Sequence, residues 1–237
     1  MNLLRKRHCY LLLLMIIVTS VVGISKNINP DDTVIKDNVD DRYSRLTDDD
    51  YAKVAAELDI DVATIKAVSD IEAGKTHNGF ATPGVPIINF DVTVFRGFLR
   101  KAGINAAKYK KSNSTAFSRV NTAKYGSYAK AQYARLESAR EINADIANKS
   151  TFWGMFQIGG FNWKKCGTSS IDEYVTLVSQ SEAMQLELFA RFLENSGMVK
   201  YLKTKNWRAF AKAYNGTSAI ARGYHKRLAS AYAKYSR

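Results

Sequence analysis

Cysteine, histidine and proline are all scarce in this 237-residue sequence, which has only two, three and three of them. Cys9 lies in the N-terminal segment that is predicted below to be a signal peptide, so Cys166 has no partner for an intrachain disulfide and is interpreted as a small buried hydrophobe. A packed core must therefore hold the fold. His8, His77 and His225 are far apart, and without a cysteine cluster no metal or other cofactor is predicted.

Acidic residues are also few relative to basic ones. The chain has 35 Lys and Arg against 22 Asp and Glu, a net charge of +13 and a pI near 9.6. Such a surface attracts anions, which include nucleic acid, anionic lipid and acidic cell-wall polymers. Apolar residues make up 46% of the chain, enough for a core, and the length is that of one domain with a tail.

The N-terminus has the pattern of a secretory signal peptide. Residues 5–7 are basic, residues 10–22 are mostly apolar, and the small residues Gly23 and Ser25 follow. The apolar run is shorter than the roughly 20 residues that span a bilayer. Residues 1–25 are therefore predicted to direct export to the periplasm or the exterior, with a retained anchor as the alternative and the one expected membrane contact. Export makes nucleic acid a poor partner, so none is predicted.

Two further regions follow the predicted signal peptide. Residues 26–45 are rich in aspartate and poor in large apolar side chains, which predicts a polar linker. Residues 46–237 carry apolar residues at regular spacing and are predicted to form one folded domain, expected to be a monomer.

Helical periodicity dominates this domain, and long strand patterns are absent. A short strand is predicted at 86–90, whereas residues 103–125 are polar, rich in lysine and without a clear period. The fold class is therefore mainly α, with a small β element near residues 80–90. Helices are predicted near residues 48–58, 61–73, 91–102, 127–147, 171–195, 198–203, 206–214 and 218–235.

Glu72 is the first candidate for chemistry, because it lies in the last turn of a predicted helix. The negative end of the helix dipole disfavours a carboxylate there, and burial would raise its pKa further. A carboxyl group that is protonated near pH 7 is what a glycosidase uses to protonate a leaving oxygen. A solvated surface glutamate is the alternative interpretation.

A second candidate is the segment from Trp153 to Gly160, which is apolar except for Gln157. It is either a buried turn or a ligand site in which Trp153 stacks on a sugar and Gly154 allows close approach to the backbone. The third candidate is Tyr214-Asn215 followed by glycine. This sequence is typical of a helix C-cap unless it borders the same cleft.

The order of these three features resembles the goose-type lysozyme and lytic transglycosylase superfamily. It resembles most the phage-type N-acetylmuramidases found in modular endolysins, over about residues 46–235. The stretches that carry the resemblance are residues 65–72, 133–136, 152–158, 160–163, 181–186, 207–211 and 214–216.

The resemblance implies a lysozyme-like helical domain with a cleft between two lobes. It implies that Glu72 is the catalytic acid, that Gln157 and its neighbours, including Phe156, line the sugar groove, and that Tyr214 and Asn215 approach from the opposite lobe. On the long helix that follows, Glu182 and Gln185 are interpreted as structural.

One stretch departs from the family pattern. Such muramidases usually have Phe-Glu-Arg-His after the short strand, where this chain has Phe90-Asp91-Val92-Thr93. Asp91 is the candidate second catalytic carboxylate, and an N-cap for the next helix is its alternative role.

The predicted activity is hydrolysis of the β-1,4 bond between N-acetylmuramic acid and N-acetylglucosamine in peptidoglycan strands. Two alternatives remain open at this point. One is lytic transglycosylase chemistry, in which Glu72 acts alone as acid and then base. The other is a non-catalytic wall-binding module, favoured by the basic surface and by an altered loop at residues 75–79, which is longer than the family's compact form. A third interpretation, that the protein binds nucleic acid, would be supported only by its positive charge.

Overall fold

The computed structural model describes residues 45–73 and 78–237. The predicted signal peptide, and the predicted linker apart from its last residue, lie outside these ranges. Within them, no helix is long and apolar enough to cross a bilayer.

The first two helices place Glu72. Helix α1, Asp48–Leu58, begins with a capping box in which Thr47 and Asp50 exchange side-chain and backbone hydrogen bonds. Helix α2, Val62–Glu72, is capped by Asp61, whose Oδ1 accepts a 2.7 Å hydrogen bond from Thr64 N. Its buried face packs against α1 and the C-terminal helix, so Glu72 is the last residue of a helix held on two sides.

The remaining helices follow the predicted order. They are α3 (Val92–Lys101), α4 (Ser114–Phe117), α5 (Thr122–Tyr125), α6 (Tyr128–Arg140), α7 (Ala144–Lys149), α8 (Ile171–Val178), α9 (Glu182–Asn195), α10 (Val199–Lys203), α11 (Trp207–Asn215), α12 (Ser218–Ala221) and α13 (Tyr224–Tyr235), with 3-10 turns at Ala106–Tyr109 and Gly160–Asn162.

Three predicted helices are each broken into two, because a capping residue starts a new helix inside the periodic stretch. Asn143 caps α7 and Ser181 caps α9, each accepting a hydrogen bond from a first-turn backbone N–H. Gly223, at φ +71°, separates α12 from α13. The stretch 103–125, for which no period was predicted, contains the short helices α4 and α5.

The β structure is larger than predicted. Strands β1 (Phe80–Thr82) and β2 (Val85–Pro86) form an antiparallel hairpin. Strands β3 (Ile88–Phe90), β4 (Thr151–Trp153) and β5 (Ile158–Gly159) form a second antiparallel sheet with β4 in the centre. The apolar segment after residue 151 is therefore a hairpin, whose strands are too short to show an alternating pattern. The prediction of a mainly α fold with a small β element is confirmed.

Two side chains of α9 hold the loop before β1 and the turn after β4 together. Gln185 accepts a hydrogen bond from Met155 N at 2.7 Å and donates to the carbonyls of Gly79 and Val178 at 3.2 and 2.9 Å. Glu182 accepts a hydrogen bond from Gly79 N at 2.7 Å. The structural interpretation of both residues agrees with these contacts, because each satisfies buried backbone groups.

Cys166 lies in the core with no exposed surface. Burial raises the pKa of its thiol to about 12. Its interpretation as a small buried hydrophobe is confirmed, since a thiol in this environment is neutral at physiological pH.

Candidate active site

A cleft of about 540 Å³ lies beside the end of α2. The ends of α11 and α13 line one side, and the β4–β5 segment with Phe192 of α9 lines the other. The volume is within the range of small-ligand sites. The cleft is lined by Glu72, Phe152, Phe156, Gln157, Ile158, Gly159, Phe161, Asn162, Phe192, Tyr214, Asn215 and Tyr224.

Glu72 is bound by two donors from distant parts of the chain. The Asn215 amide donates to both carboxyl oxygens, at 3.2 and 3.4 Å. The Tyr224 hydroxyl lies 3.2 Å from Oε2, to which it donates, and 3.4 Å from the carbonyl of Ile71. The carboxyl group therefore has a fixed position at the junction of three helix ends.

The environment of Glu72 favours its protonated form. Burial raises the pKa of this carboxyl from 4.5 to about 7, and the hydrogen bonds from Asn215 and Tyr224, with the positive charge of Arg227, oppose a larger rise. A substantial fraction of the group thus carries a proton at neutral pH, and proton donation to a bound ligand is chemically available to it.

Tyr214 supports the cleft wall from within. Its ring stacks on Phe210 at 5.8 Å and meets Phe189 edge-on at 5.7 Å. Its hydroxyl donates to the carbonyl of Phe156 at 3.2 Å, and burial raises its pKa well above the ordinary range. Tyr214 therefore acts as a neutral donor that ties α11 to the turn after β4.

Gln157 lies in the left-handed region, at φ +48°, which is unusual for a residue with a side chain. Its amide nitrogen donates to the carbonyl of Gly154 at 2.8 Å. Gln157 is one of the residues that line the cleft. Backbone strain of this kind is concentrated at functional sites, and costs on the order of 1–3 kcal/mol.

Two residues of the same segment are not brought to the cleft. The ring of Trp153 is only 2% exposed, and its indole nitrogen donates to the carbonyl of Asn148 at 3.0 Å. Gly154, at φ +69°, packs so closely on Gln185 that a Cβ would lie 2.8 Å from that side chain. The sequence suggested a sugar-stacking role for Trp153 and a ligand contact for Gly154, whereas the structure uses both for packing.

Asp91 lies outside the set of residues that line the cleft. It is the N-cap of α3, and its Oδ1 accepts hydrogen bonds from Thr93 N at 2.7 Å and Val94 N at 3.0 Å. Among the described residues that line the cleft, Glu72 is the only one with a carboxyl group.

Sequence reasoning missed Tyr224 and three phenylalanines of the cleft, Phe152, Phe161 and Phe192. Tyr224 was assigned to the middle of a continuous helix, and only the break at Gly223 makes it the first residue of α13. Phe161 is 42% exposed and meets Phe152 edge-on at 6.0 Å. An exposed aromatic ring in a cleft is a surface on which a sugar can stack, and its exposure could not be read from an apolar sequence segment.

Comparison with known proteins identifies the family to which this domain belongs. Residues 61–236 match the family model described as N-acetylmuramidase. The chain is a member of the N-acetylmuramidase family. The match covers most of the chain and includes every residue that lines the cleft.

A solved structure supports the same assignment for this muramidase. The crystal structure of the Burkholderia AP3 phage endolysin superposes with a TM-score of 0.69 at 34% sequence identity, covering 84% of this chain and 72% of that chain. No curated protein matches the sequence. The muramidase is thus a lysozyme-like glycoside hydrolase that acts on peptidoglycan, and the resemblance seen in its sequence is confirmed.

No group of three metal-ligating side chains is close enough to hold a metal ion in the part of the chain that the structure describes.

The pKa of Glu72 makes the stability of the muramidase depend on pH. Folded Glu72 binds its proton up to about pH 7, whereas an unfolded glutamate loses it near 4.5. The free energy of unfolding should therefore fall as pH rises between these values, by at most about 3 kcal/mol, since one pKa unit is worth about 1.4 kcal/mol. Urea unfolding of the parent and of Glu72→Gln at pH 4.5 to 8 measures this, and the variant should gain relative stability with pH. A difference that is constant across the range would contradict the raised pKa.

Substitutions at Asp91 separate capping from catalysis. Asp91→Asn keeps a good N-cap, so its stability should stay within about 1 kcal/mol of the parent and its activity on purified sacculi should be retained. Asp91→Ala removes the cap and should cost about 0.5–2 kcal/mol in urea unfolding. A normally folded Asp91→Asn variant that no longer clears sacculi would instead assign the carboxylate to catalysis.

Proposed function

We propose that this enzyme cleaves the β-1,4 bond between N-acetylmuramic acid and N-acetylglucosamine, with Glu72 as the general acid. The observation that carries the proposal is a carboxyl group with a pKa of about 7, held by two donors in a saccharide-sized cleft. The family to which the chain belongs supports the choice of bond.

Glu72 donates its proton to the bridging oxygen as the bond to the muramic acid C1 breaks. Positive charge develops on the sugar ring, which takes on oxocarbenium character, and Glu72 becomes a carboxylate. The amide of Asn215 and the hydroxyl of Tyr224 are donors, so they stabilise this ionised form. Asn215 and Tyr224 thus stabilise Glu72 in the carboxylate form that it has after proton transfer.

The opposite wall of the cleft supplies the substrate contacts in this proposal. The Gln157 side chain offers a polar group next to the apolar surface of Phe156 and Phe161. A pyranose ring has a polar edge and an apolar face, so an amide beside aromatic rings suits it. Tyr214 and Asn215 face these residues from α11.

A second candidate reaction, that of a lytic transglycosylase, is supported by the presence of one carboxyl group among the described residues that line the cleft. Glycosidases with two catalytic carboxylates place them about 5–9.5 Å apart, and Asp91 is occupied as an N-cap. Glu72 would then act first as acid and afterwards as base. The group that it deprotonates is water in hydrolysis, or the muramic acid 6-hydroxyl in a transglycosylase reaction that closes a 1,6-anhydro ring.

Export is part of the proposal, because peptidoglycan lies outside the cytoplasmic membrane and the N-terminal residues carry a signal-peptide pattern. The monomeric state and the polar linker stay predictions from the sequence.

Replacement of Glu72 by glutamine tests the role of the acid. Glutamine keeps the shape of the side chain but has no acidic proton, so the rate of fragment release from sacculi should fall by about 10²–10⁴-fold. Glu57→Gln is the matched control, since it makes the same change at an exposed position of α1 and should keep the parental rate. Equal rates for the two variants would remove Glu72 from the mechanism.

Product masses identify the group that attacks C1. Hydrolysis adds one water and leaves a reducing muramic acid end, whereas the transglycosylase reaction leaves an anhydro end that is lighter by one water molecule. We expect reducing ends in mass spectra of digested sacculi. Digests that contain anhydro ends alone would replace the hydrolase by the transglycosylase while keeping Glu72 as the acid.

A further inference from the structure

A second groove, of about 650 Å³, lies on the outer side of α11. Ala209 and Ile220 contribute apolar surface to it, and Thr217 contributes a hydroxyl group. Arg208 and Lys212 contribute two positive charges. Because they are four residues apart on one helix, their side chains are on the same face with Cβ atoms about 6 Å apart.

Among the residues that the structure describes, no carboxylate balances the two charges of the groove. No aspartate or glutamate occurs from residue 195 to the last residue of the chain, and no acidic side chain is among the residues that line the groove. Like charges at this spacing on a helix repel each other. The arrangement is therefore less favourable when empty than when an anion is bound.

Three other lysines of the same C-terminal region do have acidic partners, on α2 and in the turn before it. Lys203 binds Asp59 at 2.7 Å, and Lys234 lies 3.6 Å from Asp70. Lys205 likewise binds the N-cap aspartate of α2 at 2.5 Å. Arg208 and Lys212 form no ion pair within the described residues. In the described part of the chain, Arg208 and Lys212 are thus neighbouring cations in one groove without an ion-pair partner.

The groove and the catalytic cleft share one structural element. Asn215, which binds Glu72, is three residues beyond Lys212 on α11, an axial rise of about 4.5 Å. The segment that follows α11 lines the groove through Thr217 and, on α12, Ile220, and it leads to Tyr224, the second partner of Glu72. Residues that line the groove therefore alternate along the chain with residues that line the cleft.

We propose that this groove binds the peptide stem of peptidoglycan through one of its carboxylates. The stem is attached to the muramic acid lactyl group, so a strand bound at Glu72 carries it close to α11. A four-residue stem reaches about 13 Å. The guanidinium of Arg208 can bind a carboxylate through two parallel hydrogen bonds, Lys212 adds a second charge, and Ala209 with Ile220 accommodates small apolar side chains. This inference rests on the proposed function, because the substrate must be held in the cleft beside Asn215.

The test compares two soluble substrates, glycan strands that carry their stems and strands from which an amidase has removed them. Stripped strands keep the lactyl carboxylate, so the comparison isolates the stem. The variant is Arg208→Gln with Lys212→Gln, both exposed residues outside the cleft. The control is Lys108→Gln with Lys110→Gln, which removes the same two charges from another exposed surface.

The parent should have a lower KM for stem-bearing strands than for stripped ones. The groove variant should raise KM for stem-bearing strands by about three- to thirtyfold, with kcat and the KM for stripped strands unchanged. The control variant should keep the parental preference.

Three results would overturn the proposal: no preference in the parent, an equal rise in KM on both substrates, or the same effect from the control variant. The last two would indicate a general attraction of the basic protein to an acidic polymer. Failure of the proposed function would look different, because neither substrate would then be cleaved by any form of the enzyme.

Discussion

The contact of Glu72 with Asn215 and Tyr224 is the constraint on which the catalytic cleft depends. The ionised form of a carboxyl group at the C-terminal end of a helix is disfavoured by the helix dipole and, when the group is buried, by the loss of water. Donors must replace that water. They come from α11 and α13, more than 140 residues further along the chain. Gly216 ends α11 and Gly223 begins α13, and both have a positive φ, at +76° and +71°. These two turns allow Asn215 and Tyr224 to reach the same carboxyl group.

The protonation state of Glu72 results from opposing effects, of which burial is the largest. Burial alone would raise the pKa beyond the neutral range, where the group would hold its proton too tightly to release it. Two hydrogen bonds and the charge of Arg227 lower it again. The guanidinium of Arg227 also lies 4.5 Å from the centre of the Tyr224 ring, so the cation that tunes the acid also packs on one of its donors. A group with a pKa near the working pH is efficient in both proton donation and proton acceptance.

Much of the fold could be predicted from the sequence, because its helices begin at side chains whose capping chemistry is local. Thr47 and Asp61 are examples. The position of Glu72 at a helix end was readable for the same reason, and so were Gln157 and Asn215 as polar residues in apolar or turn-forming surroundings. The buried position of Trp153 could not be read from the sequence, since an aromatic residue beside glycines is equally suited to a core and to a sugar site. Tyr224 was missed because its place depends on packing between α2 and α13, which no local pattern contains.

The buried thiol of Cys166 has a practical consequence for work on this enzyme. With no exposed surface and a pKa of about 12, it will resist maleimides and other thiol-directed labels while the fold is intact. In the described part of the chain there is no other cysteine. In protein that lacks the N-terminal segment with Cys9, a cysteine introduced on the surface, on each side of the cleft for example, would therefore be labelled selectively. Cys166 need not be replaced before fluorescence or spin-label distances are recorded.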